Sequence, residues 1–438
     1  MKFGGTSVGS AEKIKSVARL VSDDSPKLVV LSAMAGTTDR LIVITEHLYR
    51  KEYQDANRLI DDLENQYFCT VNELYSTEEH RKTGKELVTS HVNHIRSFMQ
   101  DLFTQYEEKT VLAQGELLST AMFHYYLSEQ GIPSVLLPAL NFMRIDRTNE
   151  PDEFYIRENL LREMAKYSGT TLFITQGYIC RNAYGAIDNL KRGGSDYTAS
   201  LVGAAIDAEE IQIWTDIDGM QNSDPRYVRN TKPIHELSFE EASELAYFGA
   251  KILHPTSILP AINKRIPVLL KSTMSPSAPG TLITDQQLTR GEIKAVAAKD
   301  HITVIKIKSD RMLLAYGFLR KVFEVFESYK TPIDMITTSE VGVSLTIDEV
   351  KYLDNIVAEL NKLGNVSVEH DQVIVCVVGD FIAESKGIAA RILDALKEVP
   401  LRMISYGGSN HNISFVITAE YKEQALQMLH THLFQSTP

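Results

Sequence analysis

The sequence opens on a glycine-containing loop that carries a basic side chain and could bind an anion. The loop is Lys2-Phe3-Gly4-Gly5-Thr6-Ser7, and a helical pattern follows over 11–21. Paired glycines let the backbone approach a ligand closely, and free N–H groups at the start of a helix attract phosphate. Lys2 would add a mobile positive charge. The pattern predicts a phosphate cradle, although paired glycines are also common in ordinary turns, and the loop matches neither the P-loop nor the dinucleotide-binding pattern.

A second loop of the same kind, Lys191-Arg192-Gly193-Gly194-Ser195-Asp196, precedes a helix of small residues. The guanidinium of Arg192 could bind a carboxylate or a phosphate through two parallel hydrogen bonds. Ser195 or Asp196 could cap the helix, but Asp196 could instead accept hydrogen bonds from an amine. A carboxylate clamp next to an amine acceptor is what a free amino acid needs, so the loop indicates an amino-acid substrate.

Polar side chains also lie beside two other predicted elements. A strand over 27–34 ends in the small, hydroxyl-rich stretch Ser32–Asp39, and ligands bind at such strand ends in open α/β sheets. We predict a short strand over Thr110–Ala113, followed by a helix that begins at Gln114 and has Glu116 near its start. An acid there stabilises the helix dipole. Alternatively, Glu116 faces a ligand-binding cleft at the strand ends and accepts hydrogen bonds from a substrate ammonium.

A third set of polar residues suits a nucleotide. Thr215 and Asp216 end a predicted strand over 211–216, and Arg226 follows shortly after. Such groups suit a ribose, phosphates and Mg²⁺. Lys251 is a second candidate for contacting phosphate, although a lysine in a loop is usually only solvated.

Composition excludes several classes of protein. The chain has 438 residues, which predicts about two to four domains, and its net charge of −12 argues against binding nucleic acid. Cys69, Cys180 and Cys376 are far apart, which favours a reducing compartment. His91 and His94 share a helix face but have no third ligand nearby in sequence, so we expect no metal site made of side chains alone. No signal peptide or membrane-spanning run is recognisable. We therefore expect a cytoplasmic protein that binds no membrane.

The pattern of elements changes along the chain. Residues 40–110 show helical periodicity and no strand pattern, which predicts a helical insertion. Two successive βαββα patterns of the ferredoxin-like type follow over 301–369 and 373–432. The first pattern continues into a sixth element, a strand over 366–369, whereas the second pattern lacks this last strand. We predict that residues 293–298 supply this strand, so that the two repeats are interleaved.

Six motifs stand in one order along the chain: KFGGTSV, LSAMAGTTD, QGELLST, KRGGSDYTAS, IWTDIDG with DPR, and FGAKILHP. Together they resemble the aspartate kinases of the amino acid kinase family, and the two repeats resemble ACT regulatory domains. The resemblance implies a three-layer α/β kinase domain with a mostly parallel central sheet, followed by two ferredoxin-like βαββαβ ACT domains. The implied limits are 1–285 for the kinase domain (helical insertion about 40–108), 293–370 for the first ACT domain and 371–438 for the second, interleaved with 293–298.

The resemblance also implies a reaction and a role for each motif residue. ATP, with Mg²⁺, would phosphorylate the side-chain carboxylate of L-aspartate to 4-phospho-L-aspartate, the entry step to lysine, threonine and methionine. The implied catalytic residues are Lys2, Asp216 and Lys251. The implied aspartate-binding residues are Ser32, Thr38, Glu116, Arg192, Ser195 and Asp196. The implied nucleotide-binding residues are Lys2, Gly4, Gly5, Thr215, Asp216, Arg226 and Lys251.

Segments of the two repeats, among them IDMITTSEVGVSL and LRMISYGGSNHNISF, are most similar to the monofunctional, lysine-sensitive subgroup. By that resemblance Met312, Asp334 and Ser339 would line a site for an amino-acid effector, with Asp334 pairing the ε-ammonium of lysine. Asp334 could instead be a turn residue after Pro332. ACT domains pair across interfaces, so we expect a homodimer through residues 300–438, or a tetramer.

Other functions remain open at this point. Another member of the family could phosphorylate glutamate or a nucleotide, and a protein without activity could use the same fold to sense an amino acid. The chain ends after the second repeat, so we expect no fused homoserine dehydrogenase. Only Met1 precedes Lys2. Either the first strand is nearly absent or the start of the chain is truncated, and we expect the N-terminus to be mobile until a ligand binds.

Overall fold

The computed structural model describes residues 1–100, 102–190, 193–249, 254–285, 292–309 and 316–435. The chain forms two compact units. The first comprises 1–220 and 253–285, and the second comprises 221–252 and 286–438. No helix in the described part of the chain is long and apolar enough to cross a membrane.

The strands are β1 (Lys2–Phe3), β2 (Lys27–Leu31), β3 (Val135–Leu137), β4 (Leu172–Gln176), β5 (Ile179–Arg181), β6 (Ile187–Asn189), β7 (Ile211–Thr215), β8 (Glu236–Ser238), β9 (Val268–Ser272), β10 (Thr281–Thr284), β11 (Ile293–Lys308), β12 (Ile336–Thr338), β13 (Gly342–Ile347), β14 (Asn365–Gly379), β15 (Met403–Tyr406) and β16 (Asn412–Thr418). The helices are α1 (Ala11–Val21), α2 (Thr37–Tyr49), α3 (Tyr53–Leu74), α4 (Glu78–Ser97), α5 (Gln105–Glu129), α6 (Glu153–Met164), α7 (Gly194–Ala205), α8 (Phe239–Tyr247), α9 (Leu259–Lys264), α10 (Phe318–Ser328), α11 (Leu353–Leu360), α12 (Ile388–Ala395) and α13 (Lys422–His430).

Seven strands of the first unit stand side by side in the order β3-β4-β2-β1-β7-β9-β10. All neighbours are parallel except β10, which runs antiparallel to β9. The short apolar runs of β2 and β4 are buried on both faces, as in sheets covered by helices on each side. Val29 and Leu31 of β2 join a core with α1–α5, whereas α7 packs against β1, β2 and β7 outside that core. This is the predicted three-layer α/β arrangement.

Strand β1 is only two residues long, but it lies in the middle of the sheet. Lys2 is paired with Val30 of β2 and Ile213 of β7. Phe3 is fully buried and stacks on Trp214, with ring centroids 5.6 Å apart. The expectation of a mobile N-terminus is therefore wrong, because pairing on both sides and the burial of Phe3 hold Lys2 in place.

The helical insertion consists of α2, α3, α4 and the first half of α5. The predicted strand over 110–113 is wrong, since these residues belong to the 25-residue helix α5. A capping box at Thr104 and Glu107 begins this helix at Gln105, nine residues before the predicted start at Gln114. Glu116 consequently lies in the middle of α5, so it is not a residue that stabilises the helix N-terminus.

The second unit has one six-stranded antiparallel sheet in the order β12-β13-β11-β14-β16-β15. Strands β11 and β14 are long and run through both repeats. Residues 293–299 of β11 pair with 374–379 of β14, the first strand of the second repeat, and residues 303–308 pair with β13. Each repeat has its own hydrophobic core beneath the shared sheet.

Candidate active site

The first catalytic candidate, Lys2, forms an ion pair with a residue of the second glycine loop. Its Nζ lies 2.6 Å from Oδ1 of Asp196, and the two side chains are 12% and 15% exposed. Lys2 is placed by β1, whereas Asp196 lies in the first turn of α7. The two loops that the sequence singled out for anion and amine chemistry therefore meet at the carboxyl end of the parallel strands.

The glycines of the first loop permit close packing against the loop that follows β2. A Cβ on Gly5 would lie 2.8 Å from the carbonyl oxygen of Ala33, and the Gly5 carbonyl accepts a hydrogen bond from Ala35 N at 3.1 Å. A Cβ on Gly4 would lie 3.5 Å from Nζ of Lys2. Gly5 thus permits the close approach of the Ala33 loop, and Gly4 leaves the space beside the Lys2 ammonium open.

Glu116 is buried and reaches the loop that follows β2. It is 3% exposed, and its Oε1 accepts a hydrogen bond from Ala33 N at 3.2 Å. Its Oε2 is buried without a hydrogen-bond partner among the described residues. Burial raises the pKa of this carboxyl to about 7. A buried carboxylate with one free oxygen suits an ammonium ligand, whose charge would restore the ionised form.

The contact between α5 and the Ala33 loop depends on Gly115. A Cβ on Gly115 would lie 2.8 Å from Cβ of Ala33. We expect Gly115→Ala to push this loop away, to raise KM for the substrate and to destabilise the protein by about 1–3 kcal/mol through overpacking. Chemical denaturation and initial-rate kinetics would measure both effects. Gly408→Ala is the matched control, because a Cβ there meets nothing within 4 Å; equal effects in the two variants would contradict this account.

The remaining predicted substrate residues in the described part of the first unit are Ser32, Thr38 and Ser195. Ser32 is half-buried, and its carbonyl accepts a hydrogen bond from the Ser119 hydroxyl at 2.8 Å. Thr38 lies half-buried in the first turn of α2. Ser195 packs directly against Gly177, where a Cβ would lie 2.5 Å from the Ser195 hydroxyl.

The predicted nucleotide residues Thr215 and Asp216 lie where β7 ends. The Thr215 hydroxyl donates to Oδ1 of Asp216 at 3.1 Å, and Asp216 is exposed. The Thr215 carbonyl accepts hydrogen bonds from the backbone N–H of Thr273 at 2.8 Å and from its hydroxyl at 3.0 Å. The Thr273 hydroxyl also contacts the Ser7 hydroxyl at 3.2 Å. These hydrogen bonds connect the first glycine loop to the ends of β7 and β9.

Sequence reasoning missed Ser7 and Thr273, and it also missed a contact of the helical insertion. The hydroxyls of Thr37 and Tyr67 lie 3.0 Å apart, and Tyr67 of α3 is fully buried. The hydroxyl-rich stretch after β2 was a signal for Thr37. Nothing in the pattern of α3 distinguished Tyr67 from any other apolar position of an amphipathic helix.

The other predicted residues fall into two groups. Arg192, Lys251 and Met312 fall outside the described residues. Arg226 belongs to the second unit, where its guanidinium binds the Asp224 carboxylate, with Nη2 2.6 Å from Oδ2. The predicted effector residues Asp334 and Ser339 are also in the second unit, and Ser339 is exposed.

The chain matches known families over most of its length. The model of the amino acid kinase family matches residues 1–272, and an ACT domain model matches residues 375–433. Lysine-sensitive aspartokinase 3 of Escherichia coli is 34% identical over 446 residues, which cover 99% of this chain and 98% of that protein. The chain belongs to the aspartokinase family. This membership confirms the resemblance carried by the six motifs, and it makes the protein an ATP-dependent aspartate kinase rather than an inactive sensor.

Solved structures agree with this assignment. E. coli aspartokinase III in complex with aspartate and ADP, described as the R-state, superposes with a TM-score of 0.87 at 33% identity and covers 99% of both chains. The same enzyme in complex with lysine and aspartate, described as the T-state, gives a TM-score of 0.80 at 33% identity and covers 99% of this chain and 98% of that one. The predicted fold class is confirmed.

Proposed function

We propose that the cleft formed by Lys2, Glu116 and Asp196 binds L-aspartate and the γ-phosphoryl group of ATP and joins them as 4-phospho-L-aspartate. Two observations carry this proposal: Oε2 of the buried Glu116 carboxylate has no hydrogen-bond partner among the described residues, and Lys2 forms an ion pair with Asp196. Glu116 would accept hydrogen bonds from the α-ammonium of aspartate. Lys2 would leave Asp196 in part to contact the phosphoryl group.

The chemistry requires positioning and charge neutralisation more than proton transfer. The β-carboxylate of aspartate is ionised at neutral pH, so no general base is needed for its attack on phosphorus. Two anions must approach each other, and the Lys2 ammonium would offset part of their repulsion. By resemblance Arg192 would bind the α-carboxylate, and Lys251 would bind phosphate.

The nucleotide would lie against the end of β7. Mg²⁺ binds carboxylate oxygens together with phosphates and water. The exposed carboxylate of Asp216 fits this ion, since it accepts only the Thr215 hydroxyl among the described hydrogen bonds. Mg²⁺ would supply charge neutralisation on the phosphates when bound. Gly4 and Gly5 would admit the phosphates, and Thr215 would bind the nucleotide near its ribose; by resemblance Arg226 would also bind it.

Aspartate dependence of ADP release tests this proposal. We expect ADP release from ATP with L-aspartate, and no release above background with N-acetyl-L-aspartate, whose amide cannot pair with Glu116. Equal rates with the two compounds would contradict the role of Glu116. L-Glutamate is the control substrate for the alternative that the protein is a family member that phosphorylates glutamate.

We also propose feedback regulation by lysine, which acts through the second unit, and a homodimer formed by the two ACT repeats with the limits 293–370 and 371–438. The support is the bound lysine of the E. coli enzyme and the buried carboxylate of Asp334. Lysine should inhibit the enzyme, whereas threonine and methionine should not. A concentration-independent monomeric mass in solution would contradict the dimer.

A further inference from the structure

A cluster of charged side chains in the second unit surrounds the predicted effector residue Asp334. Its Oδ1 lies 2.6 Å from Nζ of Lys299 and accepts a hydrogen bond from the Tyr247 hydroxyl at 2.9 Å. Lys299 also lies 3.0 Å from Oδ2 of Asp348, and its ammonium stands 4.6 Å from the centre of the Tyr247 ring. Lys299 is thus shared by two carboxylates and an aromatic face.

Among the described residues, this cluster carries more negative than positive charge. It holds two carboxylates and one ammonium, and the Asp334 side chain is only 1% exposed. Oδ2 of Asp334 is buried without a hydrogen-bond partner among the described residues. Burial is the largest cause that raises the pKa of Asp334, and the neighbouring Asp348 raises it further. An effector ammonium bound at Asp334 would satisfy this oxygen, and with Lys299 left on Asp348 each of the two carboxylates would have its own cation.

We propose that Lys299 is an internal occupant of the effector site, and that a cationic amino acid inhibits the enzyme by taking Asp334 from it. The inference rests on the proposed regulation by lysine and specifies the residue that the effector displaces. Lys299 can form an ion pair with Asp348 alone once Asp334 has bound the effector, because the Asp348 side chain is 40% exposed. Displacement therefore costs Lys299 one ion pair and not both.

Displacement of Lys299 would change the contacts at the C-terminal end of α8. Tyr247 is the last residue of this helix, and it contacts both Asp334 and Lys299. Lys251, the second predicted phosphate lysine, follows Tyr247 by four positions in the sequence. A change in the partners of Tyr247 is thus a change at the end of α8, four positions before a predicted catalytic residue in the sequence. Because the effector and Lys299 compete for the Asp334 carboxylate, binding of the effector changes the position of Lys299 relative to Tyr247.

The second unit offers a matched control with the same chemistry. Lys422 is buried, and its Nζ donates to the Tyr227 hydroxyl at 3.0 Å and to Oδ2 of Asp300 at 2.7 Å. The same ammonium stands 4.3 Å from the centre of the Tyr227 ring. This second group of tyrosine, lysine and aspartate includes none of the predicted effector residues, so its loss should not alter effector affinity.

The test is isothermal titration calorimetry of L-lysine into the full-length protein. Lys299→Met removes the ammonium that competes with the effector for Asp334. Every molecule then has a binding-competent Asp334, so we expect Kd for lysine to fall about tenfold. In Lys299→Arg the net charge is kept, but the guanidinium holds two carboxylates better than an ammonium does. We therefore expect weaker lysine binding. Lys422→Met should bind lysine as the wild type does.

The outcomes separate this inference from the proposed regulation. If the wild type binds no L-lysine, the proposed effector is wrong and the inference falls with it. If the wild type binds lysine but Kd is unchanged or higher in Lys299→Met, only the inference is overturned. An equal decrease of Kd in Lys422→Met would also overturn it. Kinase activity measured without lysine verifies that each variant is folded. The variant Tyr247→Phe should bind lysine with the wild-type Kd, but lysine should inhibit its kinase activity less.

Discussion

Replacing Lys2 with methionine should lower kcat for aspartate phosphorylation about 10²–10³-fold, the usual effect of removing one preorganised group that stabilises developing charge. Methionine keeps the length of the side chain and removes its ammonium. The strand pairing of residue 2 uses only backbone atoms, so β1 should remain in the sheet. Steady-state kinetics with ATP and aspartate would measure the loss.

The control for this variant is Lys82→Met. Lys82 is an exposed lysine of α4 whose nearest acid, Glu86, is 3.9 Å away. It should behave as the wild type in both kcat and KM. A near-normal kcat in Lys2→Met would contradict the role of Lys2. A loss of folded protein would instead appear as reduced helicity, which circular dichroism separates from a loss of catalysis.

Replacing Glu116 with glutamine should raise KM for aspartate and leave the site otherwise intact. A hydrogen bond to a charged group contributes about 1.5–3 kcal/mol, which corresponds to roughly 10–100-fold in KM. In the wild type kcat/KM for aspartate should fall as the pH decreases through about 7, because burial raises the pKa of Glu116 to about 7 and only the ionised carboxylate pairs with an ammonium. The variant should lose this pH dependence.

The same variant should be more stable than the wild type at high pH. The pKa of Glu116 is about 7 in the folded protein against an ordinary value of 4.5. The folded state therefore holds this proton more tightly, and the stability that the proton contributes is fully present below pH 4.5 and is lost as the pH rises through 7. A shift of this size corresponds to about 3 kcal/mol at alkaline pH.

Urea denaturation of both proteins as a function of pH tests this linkage. Glu116→Gln should gain free energy of unfolding relative to the wild type above neutral pH and should differ little in acid. A constant difference across the pH range would contradict the raised pKa. The gain in stability together with the loss of aspartate binding would show that the buried carboxylate is retained for its ligand.

Much of the site could be predicted from the sequence because its residues stand in local patterns. The glycine pair after β1 and the Gly193-Gly194 pair at the start of α7 each mark the boundary of a strand or a helix. Strand-end hydroxyls such as Thr215 followed from the parallel sheet, in which carboxyl ends share one edge. The ion pair of Lys2 with Asp196 joins two such patterns.

Other features depend on tertiary contacts that no local pattern encodes. The stability of β1 comes from pairing on both sides and from Phe3 stacking on Trp214, so its shortness was misleading. The strand predicted over 110–113 was overridden by a capping box upstream. The partner of Asp334 is likewise non-local: Lys299 lies 35 positions earlier in the sequence, and Tyr247 lies 87 positions earlier.

The formation of an acyl phosphate on aspartate is the most direct test of the central claim. Hydroxylamine traps such a product as the hydroxamate, which is detected with ferric ion. Incubation of the protein with ATP, Mg²⁺ and L-aspartate should give hydroxamate, and Lys2→Met should give about 10²–10³-fold less per unit time. No aspartate-dependent hydroxamate from the wild type, or equal amounts from the wild type and Lys2→Met, would contradict the account.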